Sequence, residues 1–189
     1  MVPGMMCDER IFSPQIEELS KNLEVTVADI SSFPTVRELA SDLLKKAPKS
    51  FSLLGHSMGG IVAMEIYSQE PNRIEKLILM DTNPKAELDE VKLKREPQIK
   101  DVREGKLLEV MRDEMKPNYL AESENKSSVL DVCMDMALSL GPDVFINQSR
   151  ALQKRTDQLN TIQSINLSLI HISEPTRRYA ISYAVFCLK

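Results

Sequence analysis

The apolar positions of the chain change period several times within the first 84 residues, and each change marks an element. Ile11, Phe12, Ile16 and Leu19 recur at helical spacing, which predicts a helix within residues 8–22. Leu23, Val25 and Val27 alternate with Glu24 and Thr26, so residues 23–29 read as a strand. Thr35-Val36-Arg37-Glu38 has the form of a capping box. It opens an amphipathic helix through Leu39, Leu43 and Leu44 that closes near Pro48. Phe51-Ser52-Leu53-Leu54 predicts a further strand, and Ile61 to Tyr67 a helix that ends before Pro71. Ile74 to Met80 is a nearly continuous apolar strand, interrupted only by Glu75 and Lys76 and ending at Asp81-Thr82-Asn83-Pro84. Strands alternating with helices imply an α/β fold with a parallel sheet covered on both faces.

From Lys85 the pattern changes. Residues 85–160 hold no convincing strand, and helices are predicted over roughly 87–104, 106–115, 127–140 and 143–154, punctuated by Pro117 and Gly141-Pro142. Leu108, Val110, Met111, Met134, Met136, Leu138 and Phe145 are among the apolar residues of these helices. Two readings stand for them: the packed core of a helical unit, or the lining of an acyl pocket.

The chemistry concentrates in Gly55-His56-Ser57-Met58-Gly59-Gly60, which lies between a predicted strand and a predicted helix. Strand, G-x-S-x-G, helix is the context in which the pattern forms a nucleophile elbow. So sharp a turn leaves almost no room two residues either side of the serine, and Gly55 and Gly59 stand there. Gly60 gives further room where helix meets sheet. Ser57 would stand at the top of the turn, facing the unpaired amides and positive dipole end of the helix, which favour a developing oxyanion. The bland alternative is a Gly/Ser loop or phosphate-binding turn, against which the flanking strand and helix both count.

With these residues in view, the chain resembles the α/β-hydrolases of the esterase, lipase and C–C hydrolase superfamily. The resemblance is carried by Val2-Pro3-Gly4-Met5-Met6, by Leu53 to Glu65 and by Arg73 to Pro84, and it covers residues 1 to about 166. It implies a carboxylesterase-like α/β-hydrolase fold with a helical cap. Residues 1–84 would be a partial core carrying the elbow, 85–160 the cap, and 161–166 the start of the remaining core. By the same resemblance Ser57 is the nucleophile, and the backbone amides of Met5 and Met58 form the oxyanion hole. Asp81 is a candidate for the triad acid, at a position where many members instead keep an aspartate for loop hydrogen bonding. The chain has two histidines. His56 lies inside the elbow, where its side chain is expected to point away from the serine hydroxyl, and His171 comes too early for the family's base. The expectation is therefore a fragment truncated at both ends, lacking the catalytic histidine and inactive as it stands. Only Met1 and Val2 precede the oxyanion loop where the family carries an apolar strand, so that loop is expected to be poorly anchored.

Residues 167–189 resemble nothing in the superfamily. Leu167 to Arg177 matches, in one reading frame, the conceptual translation of a transposase-type sequencing adapter. After a gap of three residues, Ile181 to Lys189 matches the rest of the adapter and an adenine run. The tail is therefore read as non-native and set aside. The alternative is that its first residues, strand-like in composition, form an accidental strand where the next parallel strand is due.

Composition narrows the picture further. A length of 189 residues suits one domain, and 42% hydrophobic with 28% charged residues suits a soluble protein. A net charge of −4, with no basic stripe, argues against nucleic acid as a partner. No leader-like start and no run of about 18 apolar residues is present, so neither secretion nor a membrane span is expected. Cys7, Cys133 and Cys187 lack metal-ligand or disulfide spacing, which fits a reducing, cytoplasmic setting. No metal or organic cofactor is implied. The leading reading is a hydrolase of small or medium carboxylic esters. C–C bond hydrolysis, thioester hydrolysis and a non-catalytic interaction protein on the same scaffold remain as alternatives.

Overall fold

The computed structural model describes residues 1–115, 126–167 and 169–172. Pro117, Cys187 and the part of the tail from 173 onward lie outside the described residues. A three-stranded parallel sheet, in the order β1 (Phe51–His56), β2 (Ile74–Met80), β3 (Leu169–Ile172), forms the centre. β1 and β2 run in register from Leu53 opposite Leu77 to His56 opposite Met80, with an irregularity between Phe51 and Ser52. β3 pairs with β2 from Leu77 opposite Leu169 to Met80 opposite Ile172, so the start of the sequence set aside as a tail contributes a strand.

Asp8 caps a 3-10 turn, Glu9–Phe12, and Pro14 then starts helix α1 (Ser13–Leu19), so the expected single helix is two short pieces. α2 (Val36–Lys46) begins as its capping box dictates: Thr35 Oγ1 accepts from the Glu38 amide at 3.2 Å and donates to the Glu38 carboxylate at 2.5 Å. α3 (Met58–Gln69) is buried almost throughout and packs on β1, β2 and α2. Leu53, Ile61, Val62, Met64, Leu77 and Leu79 lie in the resulting core.

One expectation is overturned. Residues 23–29 form no strand. The Met1 amino group donates to the Thr26 carbonyl at 2.6 Å and the Ala28 amide to the Met1 carbonyl at 2.8 Å, the bonding pattern of a parallel pair. Among the described residues these two bonds are all that join the segment to the backbone of Met1, too little for a strand ladder. A second correction concerns Val2 itself. Its amide donates to Leu54 O at 2.7 Å and its carbonyl accepts from His56 N at 3.0 Å, and its side chain is buried. The loop that follows is thus firmly anchored to β1.

Beyond β2 come α4 (Asp89–Arg103), the short α5 (Leu107–Glu109) continuing into a π-helical turn (Val110–Met115), α6 (Lys126–Leu140), α7 (Pro142–Gln153) and α8 (Leu159–Gln163). Ile99, Val102, Val110, Met111, Ala137 and Phe145 pack into a second core. Val110, Met111, Met136 and Phe145 are buried, whereas Leu108 and Leu138 face outward. Among the described residues, no helix is long and apolar enough to cross a membrane.

Leu77 is fully buried at the sheet centre and Leu93 is 72% exposed on α4. Leu77→Ala is expected to cost about 2–5 kcal/mol, and Leu93→Ala to stay within about 0.5 kcal/mol, in urea unfolding.

Candidate active site

β1 passes into α3 through a single residue. That residue, Ser57, has φ +52° and ψ −115°. Side chains rarely take such a conformation, and it costs roughly 1–3 kcal/mol unless the surroundings enforce it. Here they do. The Ser57 amide donates to Met80 O at 2.9 Å, and its carbonyl accepts from the Gly60 amide at 3.0 Å and the Thr82 hydroxyl at 2.7 Å. Thr82, in the loop after β2, therefore clamps the turn. In the sequence, Asp81-Thr82-Asn83-Pro84 marked the end of the strand but not this role.

Sterics explain the glycines. A Cβ on Gly55 would lie 2.4 Å from the Gly59 carbonyl oxygen, and one on Gly59 would lie 2.1 Å from Val2 O and 2.4 Å from Pro3 O. Backbone meets backbone at both points, so nothing can give way. Gly60 packs as closely on Thr82.

Met6 (φ +54°) and Asp81 (φ +43°) are the other non-glycine residues with positive φ among those described. Asp81 follows the Met80 whose carbonyl receives the Ser57 amide, and Gly4, in the loop that leads to Met6, packs close to the Ser57 Cβ and the His56 ring. Two adjoining turns, at Ser57 and Asp81, thus carry strained dihedrals. The Met58 amide opens α3, and the Met5 amide follows Gly4. No acceptor for either is found among the described residues.

Met5 also packs against both cores, so the loop carrying it joins sheet and helical unit. A buried glutamine fixes this junction. Gln148 of α7 accepts from the Met6 amide at 2.7 Å and donates to Ile30 O at 3.2 Å. Its signal in the sequence is a polar residue on the apolar face shared with Phe145 and Leu152. His56 stands edge-on to Phe12, with ring centroids 6.5 Å apart. The Asp81 amide donates to Ile172 O at 2.7 Å, which ties the end of β2 to β3. His171 lies on β3, opposite Leu79. Ser57, Met5, Met58, the elbow glycines, His56 and Asp81 thus gather at the C-terminal ends of β1 and β2. Among the described residues no cluster suited to a metal ion is found.

The Cys7 thiol, at the edge of this loop, is pushed up to about 12 by burial and then by Cys133 and Asp8. An ordinary thiol titrates near 8.5. Cys7 is thus expected to stay protonated at pH 8.5 and to alkylate with iodoacetamide far more slowly than a model thiol, as peptide mass spectrometry would read. Gly59→Ala is expected to push the Val2-Pro3 backbone off β1 and destabilise by more than about 3 kcal/mol in a denaturant melt, whereas Ser57→Ala leaves the fold intact.

Comparisons with known proteins bear on the family and the fold. A family profile described as alpha/beta hydrolase fold matches residues 33–160. A pimeloyl-[acyl-carrier protein] methyl ester esterase of Aliivibrio salmonicida is 27% identical over 93 residues, covering 45% of this chain and 36% of that protein. The chain thus spans little more than a third of the length of such relatives. A thermophilic esterase from Thermogutta terrifontis, solved with malate bound, superimposes with a TM-score of 0.80 at 24% identity, covering 91% of this chain and 69% of that one. The enol-lactonase from Burkholderia xenovorans gives a TM-score of 0.76 at 20% identity, covering 91% and 71%. At these identities the structural likenesses speak for the fold alone.

Proposed function

The chain belongs to the alpha/beta hydrolase fold family, and from that premise we propose that Ser57 is the nucleophile of a carboxylic-ester hydrolase. The observation carrying this reading is the positive-φ turn at Ser57, which caps the N-terminus of α3 and has the Gly4 loop packed against it. The Met58 and Met5 amides are the oxyanion donors this reading assigns. In this mechanism Ser57 Oγ attacks the ester carbonyl. The carbonyl oxygen gains negative charge as it becomes tetrahedral, and two N–H groups that need not reorganise stabilise it. The alcohol leaves, and water hydrolyses the acyl-enzyme. Relatives whose names describe methyl ester cleavage favour carboxylic esters over C–C bonds as the substrate class.

Serine needs a base to reach ordinary rates. His56 lies inside the elbow and stands edge-on to Phe12, and this reading does not assign it as that base. Asp81, just after β2, remains the candidate acid of this reading, but orienting an imidazole requires one beside Ser57. We infer that this chain by itself retains only the contributions of the oxyanion donors and of binding. Loss of a triad member costs about 10⁴- to 10⁶-fold. With typical turnover near 10 s⁻¹, p-nitrophenyl butyrate is expected to turn over at about 10⁻³ s⁻¹ or slower, and Ser57→Ala to remove that residual rate. Ser57-dependent turnover near 10 s⁻¹ would overturn the missing base. A residual rate unchanged by Ser57→Ala would count against Ser57 as nucleophile.

A further inference from the structure

Two guanidinium groups and one carboxylate meet between the loop after β2, α4 and the segment that leaves α7. Glu87 and Arg95 form a buried bidentate pair, with Nε to Oε2 at 2.5 Å and Nη2 to Oε1 at 2.9 Å. Arg95 Nη1 lies 3.7 Å from Met5 Sδ, one methionine side chain from the amide assigned above to the oxyanion. Arg155 is held over the same place from both sides. Gln153 donates to Lys92 O at 3.0 Å, and the Gln158 amide donates to Pro84 O at 2.7 Å. Arg150 is already paired with Glu96. Arg155 is not paired: its Nε is buried without an acceptor among the described residues. Burial lowers the affinity of its guanidinium for a proton, Glu87 opposes that and Arg95 adds to it. Arginine nevertheless stays charged, so the three groups carry one positive charge without a counter-ion among them, on a guanidinium that is half-buried.

We propose that Arg155, backed by the Glu87–Arg95 pair, is an anion subsite that takes a carboxylate on the acyl chain of the substrate. The substrate class is then the half-ester of a short dicarboxylic acid. The proposal rests on the ester-hydrolase reading for the identity of the other end of the ligand. One free planar fork matches a carboxylate, whereas a phosphate dianion would leave a charge over.

The test is binding, which needs no turnover. Monomethyl glutarate, neutral methyl butyrate and inorganic phosphate are titrated into the full chain at low ionic strength, read by calorimetry. The half-ester is expected to bind at least about tenfold more tightly than methyl butyrate. Arg155→Gln loses that preference at an unchanged melting temperature, Arg155→Lys keeps part of it, and Ser57→Ala keeps all of it. Equal affinity for charged and neutral ligands overturns the subsite, as does a preference that survives in folded Arg155→Gln. Phosphate binding more tightly than the half-ester overturns the carboxylate assignment. Should Arg155→Gln fail to fold, the wild-type comparison and Arg155→Lys still decide. Loss of Ser57-dependent turnover bears on the hydrolase reading, and loss of charge preference on this one.

Discussion

Contact between bare backbones at Gly59 is the constraint on which the rest depends. The carbonyls of Val2 and Pro3 occupy the volume that a side chain at Gly59 would need. Three segments far apart in sequence are thereby fixed together: the loop at the start of the chain, the turn after β1 and the first turn of α3. The Ser57 dihedrals follow from this, because the strand must become a helix within one residue while its carbonyl is held by Gly60 and Thr82. Strain of this kind persists only where the surroundings over-determine it.

The second organising feature is the joint between the two cores. Met5 packs into both, and Gln148 reaches from α7 to the backbone of Met6 and Ile30. A buried amide left unpaired is costly, so Gln148 fixes the loop more specifically than apolar packing would. The helices from α4 to α7 therefore do more than cover the sheet, since their placement sets that of the Met5 amide.

Most of the local architecture was legible in the sequence. The capping box at Thr35, the apolar run of β2 and the G-x-S-x-G between strand and helix are short-range signals, and local physics decides them. Residues 23–29 were misread because alternation reports which faces are apolar and not whether a partner strand is long enough to pair with. Val2 was misjudged for the opposite reason: two residues look like too little to anchor a loop until the β1 edge bonds both sides of one of them. The roles of Thr82, Gln148 and the Glu87–Arg95 pair exist only across the fold, so the sequence showed at most that Gln148 is a polar residue on an apolar face. Gln148, for example, bonds to residues more than a hundred positions away.

In the proposed mechanism the Ser57 oxygen and the Met5 and Met58 amides form one reacting centre. Its most direct measurement is a crystal structure of the chain after prolonged exposure to a small alkyl fluorophosphonate at alkaline pH. Phosphorus is expected to be bonded to Ser57 Oγ, with the phosphoryl oxygen within hydrogen-bond reach, about 2.7–3.1 Å, of both amide nitrogens. Modification at another residue, or a Ser57 adduct whose phosphoryl oxygen points away from both amides, would contradict it.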